Sequence, residues 1–194
     1  MKKLFVFTFV VMLSSVIMAQ EDGTFGISVG GCYLMADNLI MADLPSDERT
    51  NGNGFEFGIV TKVPVAEQGL VKTMVTGITY IKLPWDAIKD DPPRSDHVIS
   101  TFVGVMGGNP TGIHVFGGPT VNFGLFNQGY LGIDIGAGYG MNLGVIDKIV
   151  DFSIRYSVFN ALNKLKDDPK FELFGQDSEI SALDLIRFNV TLSI

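Results

Sequence analysis

Three consecutive residues, Ser95, Asp96 and His97, bring together a hydroxyl, a carboxylate and an imidazole, the groups that activate a nucleophile for acyl transfer. Their spacing works against that chemistry. Neighbouring residues of an extended chain point to opposite faces, so the three cannot meet on one surface, and the other histidine, His114, belongs to the far end of its own segment. A hydrogen-bonding cluster at a rim is the simpler reading. A second set carries more weight: Glu56, Lys62, Asp134, Asp151, Arg155 and Arg187 sit among small and apolar residues. Asp134, Arg155 and Arg187 each fall about four residues from the same end of their segments. They are therefore expected in one layer, a carboxylate between two guanidinium groups, where charge-assisted hydrogen bonds satisfy every buried charge.

Other chemistries find little support. Cys32 is the lone cysteine, which leaves no intrachain disulfide and no cysteine-rich zinc site. The acidic positions Asp37, Asp43, Asp47 and Glu48, and the runs Lys89-Asp90-Asp91-Pro92 and Lys166-Asp167-Asp168-Pro169, lack the glycine-punctuated calcium loop with its closing glutamate, and read as solvated turns. Gly136, Gly138 and Gly140 do not make a phosphate loop, because no helix follows them. Asn189-Val190-Thr191 matches a glycosylation triplet but lies inside an extended segment. With 14 Lys+Arg against 21 Asp+Glu and a net charge of −7, a nucleic-acid partner is not expected. Neither a metal nor a cofactor is expected.

The elements that position these charges are strands. Leu131, Ile133, Ile135, Ala137, Tyr139, Met141 and Leu143 alternate with Gly132, Asp134, Gly136, Gly138, Gly140 and Asn142. Phe152, Ile154, Tyr156 and Val158 alternate with polar residues in the same way, as do Ile186, Phe188, Val190, Leu192 and Ile194. Period two with one apolar and one polar face is the mark of a strand. Strands are expected at 24–33, 53–63, 71–82, 97–106, 112–123, 129–143, 148–159 and 183–194. The connections 34–52, 83–96 and 160–182 are long, whereas 64–70, 107–111, 124–128 and 144–147 are short, with Asn109-Pro110-Thr111-Gly112 a tight turn. Even strand number with long loops gathered at one end is the plan of an all-β, eight-stranded antiparallel up-and-down transmembrane barrel.

Residue size suggests which face is inside. Glycine makes up 23 of 194 residues, and with serine, threonine, asparagine and a few charges it occupies the polar faces, which suits the crowded interior of an eight-stranded barrel. A solvated strand face would carry lysine and glutamate, and glycine there would weaken it without return. The apolar faces hold Ile, Leu, Phe and Tyr with little taper, a shape lipid accepts. Tyr33, Phe55, Phe57, Tyr80, Trp85, Phe123, Phe126, Tyr130 and Phe159 fall near strand ends on the long-loop side, the expected position of an aromatic girdle. Phe25 is the best member of a thinner girdle at the other end.

Residues 1–19 stand apart. Lys2 and Lys3, the apolar run from Leu4 to Leu13 broken only by Thr8, and Ala19 before Gln20-Glu21-Asp22 form a secretory signal peptide, although Ile17 replaces the small residue favoured before the cut. The alternatives are an N-terminal membrane anchor, for which the run is short, and a lipoprotein box at Val29-Gly30-Gly31-Cys32, which polar residues separate from the run. Residues 20–194 are then the barrel domain. Beyond residue 19 no apolar stretch approaches the ~18 residues of a membrane helix.

Signal peptide, eight alternating strands, short turns opposite long acidic loops, and the closing Arg187-Phe188-Asn189-Val190-Thr191-Leu192-Ser193-Ile194 resemble the small outer-membrane β-barrel proteins of the OmpA/OmpX type, over essentially the whole mature chain. Many members of that family end in phenylalanine, read by the barrel-assembly machinery, whereas this chain ends in Ile194. The resemblance implies a bare barrel in the outer membrane of a gram-negative bacterium. Its partners would be outer-membrane lipid, the assembly machinery during biogenesis, and an extracellular partner met through loops 34–52, 83–96 and 160–182. The expected function is non-enzymatic, structural or surface-interacting, with a plugged polar lumen. A soluble periplasmic or secreted β-barrel binding an apolar ligand is the first alternative, and an outer-membrane lipid-modifying enzyme using Ser95 and His97 the second.

Overall fold

Alternation along the chain becomes eight strands: β1 (Thr24–Leu34), β2 (Gly52–Pro64), β3 (Thr73–Lys82), β4 (His97–Gly108), β5 (Ile113–Phe123), β6 (Gly129–Asn142), β7 (Ile149–Val158) and β8 (Asp184–Ser193). A computed structural model describes residues 23–34, 52–83, 97–123, 129–144, 148–159, 161 and 184–193. Each strand pairs antiparallel with its neighbours in sequence, and β8 returns to pair with β1, from Gly26↔Ser193 to Leu34↔Leu185. The sheet is thus a closed up-and-down barrel with no free edge. Every strand boundary lies within two residues of its sequence expectation.

Local chemistry sets the short turns. Asn109 Oδ1 accepts hydrogen bonds from Thr111 N (3.1 Å) and Thr111 Oγ1 (3.0 Å), while Asn109 N donates to Ile113 O (3.1 Å). Asn142 does the same for Gly144 N (2.8 Å), and Gly144 takes a φ of 63° that a residue with a Cβ rarely adopts.

The faces are inverted relative to a water-soluble barrel. On β7, Asp151, Ser153, Arg155 and Ser157 are buried while Phe152, Ile154 and Tyr156 are exposed. On β8, Arg187, Asn189 and Thr191 are buried while Phe188, Val190 and Leu192 are exposed. Ile135 in the middle of β6 is 62 % exposed, beside Asp134 at 1 %.

Bulky side chains fit the narrow interior because small ones stand opposite. Across the β5–β6 seam His114 faces Gly138, Phe116 faces Gly136, Gly118 faces Asp134 and Thr120 faces Gly132. A Cβ on Gly136 would stand 2.5 Å from Phe116 Cζ, and one on Gly138 would stand 2.5 Å from His114 Nε2. The lumen is not polar throughout, as the sequence reading had it. Val60, Val75, Phe102, Met106 and Phe116 form a buried apolar cluster on the β2–β5 side. The reason lies in β4, where Val98, Phe102 and Met106 point inward while Ile99 and Val105 point outward, so that both faces are apolar and alternation fades.

Candidate functional site

Glu56, Asp134, Asp151, Arg155 and Arg187 are buried and Lys62 is half-buried, and charges withdrawn from water in a narrow barrel must find one another. They do so in two groups. In the first, Arg187 of β8 is the hub. Its Nε donates to Glu56 Oε2 (2.6 Å) and its Nη2 lies 2.5 Å from the same oxygen. Its Nη1 donates to Asp134 Oδ2 (2.9 Å) and reaches Ser157 Oγ (3.3 Å). One guanidinium thereby ties β2, β6 and β7 to β8 through the lumen. Arg155 meets the same Asp134 oxygen only at 3.9 Å. Its guanidinium sits instead over the rings of Phe116 and Phe102, 5.0 and 5.8 Å from their centroids, where the ring faces attract a cation.

The second group lies nearer the short turns. Lys62 Nζ donates to Asp151 Oδ2 (2.9 Å), and His114 Nε2 lies 3.1 Å from that oxygen. His114 Nδ1 lies 3.1 Å from Gly112 O, so both ring nitrogens face acceptors. A cavity of about 20 Å³ is lined by this group and Arg155 together with Val60, Val75, Met106 and Phe116. That is room for about one water molecule.

The layer expected from sequence therefore takes a different shape. Asp134 does stand between Arg155 and Arg187, but Arg187 holds it more closely, and Glu56 of β2 joins Arg187 from the far side of β1. Lys62 and Asp151 belong to the other group. Sequence reasoning missed His114 and Ser157. His114 shares the inward parity of Phe116, Thr120 and Asn122 on β5, which was the available signal. Ser157, two residues from Arg155, carried the same one.

The aromatic residues divide. Tyr33, Phe55 and Phe57 are exposed on the outward face. Tyr80 lies against Phe55 and Phe57, with centroids 6.2 and 5.1 Å away. It also stacks on His97 at 5.6 Å, and its hydroxyl bonds His97 Nδ1. Phe123 is half-buried. Tyr130 and Phe159 correct the girdle assignment: they are 6 % and 2 % exposed. Each is four residues from an inward charge, Asp134 and Arg155, and an even separation keeps a strand residue on the same face. Trp85 and Phe126 lie outside the described residues, as do Ser95, Asp96, the acidic loop positions and residues 1–19. His97 opens β4 at the rim, engaged with Tyr80 rather than turned into the lumen.

An inverted closed barrel with a cross-linked interior places the chain among small eight-stranded up-and-down β-barrels. Among solved structures the chain is similar to Neisserial surface protein A (NspA), with a TM-score of 0.54 and 10% sequence identity, covering 89% of this chain and 96% of that one. At that identity the likeness is one of fold. No family model matches the sequence, and no curated protein matches it.

Proposed function

We propose that this chain is a non-enzymatic integral outer-membrane β-barrel of a gram-negative bacterium, exported by a cleaved signal peptide at 1–19, with a plugged lumen. Its role is structural or surface-interacting. Loops 34–52, 83–96 and 160–182 meet an extracellular partner, and the assembly machinery inserts the barrel. The observation that carries this reading is the face inversion. Apolar side chains such as Val29, Phe57, Ile135, Ile154 and Phe188 are exposed on strands all round a barrel whose inner face buries Glu56, Asp134, Asp151, Arg155 and Arg187. Water penalises that arrangement, and hydrocarbon favours it. NspA, similar in fold, is named a surface protein. The cross-links through Arg187 and the glycine-fitted rings support a plug rather than a ligand chamber.

Fractionation of the native envelope tests this. The protein is expected with outer-membrane particles, resistant to carbonate extraction, and shifted in gel mobility on boiling. Recovery in the soluble periplasm after gentle lysis would sink the reading.

A further inference from the structure

Arg155 is the buried cation with the least to hold. It points inward on β7 and is 7 % exposed, and its Nε has no hydrogen-bond partner among the described residues. Asp134 meets it only at 3.9 Å and keeps its closer contact, 2.9 Å, for Arg187. The Phe116 and Phe102 rings attract its charge but supply no acceptor oxygen to its N–H groups. A buried donor on a full charge is costly when left unmatched. Arg155 lines the cavity of about 20 Å³, whose other polar walls are Lys62 of β2, His114 of β5, Asp151 and Ser153 of β7, and Thr191 of β8. His114 is cationic as well. Its ring nitrogens face Gly112 O and Asp151 Oδ2, each at 3.1 Å, and a neutral ring has only one N–H to give. Three cationic groups therefore surround the cavity against one carboxylate. That carboxylate is already committed, since Asp151 Oδ2 takes both Lys62 Nζ at 2.9 Å and His114.

We propose that the cavity is a binding site for one small monovalent anion, a halide such as chloride. Arg155 supplies the unmatched N–H, the Ser153 and Thr191 hydroxyls line the same space, and the surplus positive charge supplies the attraction. A water molecule would satisfy the donor but leave that surplus uncompensated in a narrow lumen, whereas an anion answers both. Size sets the class of guest. One water needs roughly 10–15 Å³, so a cavity of about 20 Å³ admits a monatomic anion and shuts out phosphate, sulfate or a carboxylate. Lys62, whose side chain keeps 12 % of its surface exposed, stands where the site meets water toward the short turns, so an ion enters without parting any strand. Bound there, the anion joins the Arg187 group to the Lys62 group through Arg155 and becomes part of the plug. The site belongs to the closed lumen and holds whatever surrounds the barrel.

The full-length protein, refolded in non-ionic detergent micelles, is titrated with sodium chloride and followed by the chloride NMR line width. Broadening beyond that of the micelles alone is expected, reversed by bromide and unchanged by sulfate at equal ionic strength. Arg155→Gln is expected to weaken chloride binding by about tenfold, the loss of one charge-assisted hydrogen bond. Should that variant fail the heat-shift check, the urea midpoint of the parent protein is the second reading. It is expected to be higher in sodium chloride than in sodium gluconate at the same concentration, because gluconate is too large to enter and a ligand of the folded state alone stabilises it. No broadening beyond that of the micelles would overturn the site, and is the result a cavity holding only water would give. Broadening that sulfate reverses as well as bromide does, broadening undiminished in Arg155→Gln, or a midpoint no higher in chloride than in gluconate would each overturn it too. None of these outcomes bears on the membrane reading, which fractionation tests separately.

Discussion

Arg187 holds two carboxylates with one guanidinium, and the energetic consequence follows from burial. Removing one member of a buried, hydrogen-bonded charge group leaves its partners uncompensated, at a cost of about 3–5 kcal/mol. Arg187→Ala is therefore expected to lower unfolding stability by about that much, measured by urea titration in lipid vesicles, because Glu56 and Asp134 both lose their closest cation. Arg155→Ala should cost less, since its contact to Asp134 is 3.9 Å and much of its setting is aromatic. Equal losses would show that the closeness of the Arg187 contacts does not decide the balance. Much of this group was legible in the sequence, because charges are rare on the small-residue faces and parity assigns them inward. The tie to Glu56 was not, since β2 and β8 are separated by β1, and only closure of the barrel, which pairs Gly30 with Glu56 and Cys32 with Arg187, brings the two side chains together over β1. Height along the strand puts Tyr130 and Phe159 at the girdle, whereas their parity with Asp134 and Arg155 turns them inward, as their burial shows.

At the scale of elements, period two locates strands well wherever the two faces differ in polarity, as in β6, β7 and β8. It says less where both faces are apolar, and so the cluster around Phe102 and Met106 emerged only with the fold. The glycine excess has a matching explanation in the pairing of β5 with β6. Gly136→Ala should destabilise the barrel by about 1–3 kcal/mol through overpacking, read as a lower urea midpoint. Phe116→Leu in the same chain should recover only part of the loss, because the Ile154 carbonyl oxygen would still stand 2.6 Å from the new Cβ. A full recovery would mean that the ring alone sets the limit.

For the molecule as a whole, the surroundings decide what an outward residue contributes. Ile135→Lys on a soluble barrel would be a harmless surface change. At the middle of a lipid-facing strand it should cost about 2–4 kcal/mol, measured by equilibrium unfolding in vesicles. Leu70→Lys, in the β2–β3 turn and 92 % exposed, should change stability by less than about 0.5 kcal/mol. Similar values for the two variants would argue against a lipid-facing belt. The complementarity between β5 and β6 also acts as a register lock. A slip of one residue is barred because it would turn every charge outward. A slip of two keeps the faces but sets Gly118 against Gly136 or Gly132, opening a hole, while Asp134 meets Thr120 or Phe116 where it now meets a glycine. The hairpin thus carries its own alignment check before the barrel closes.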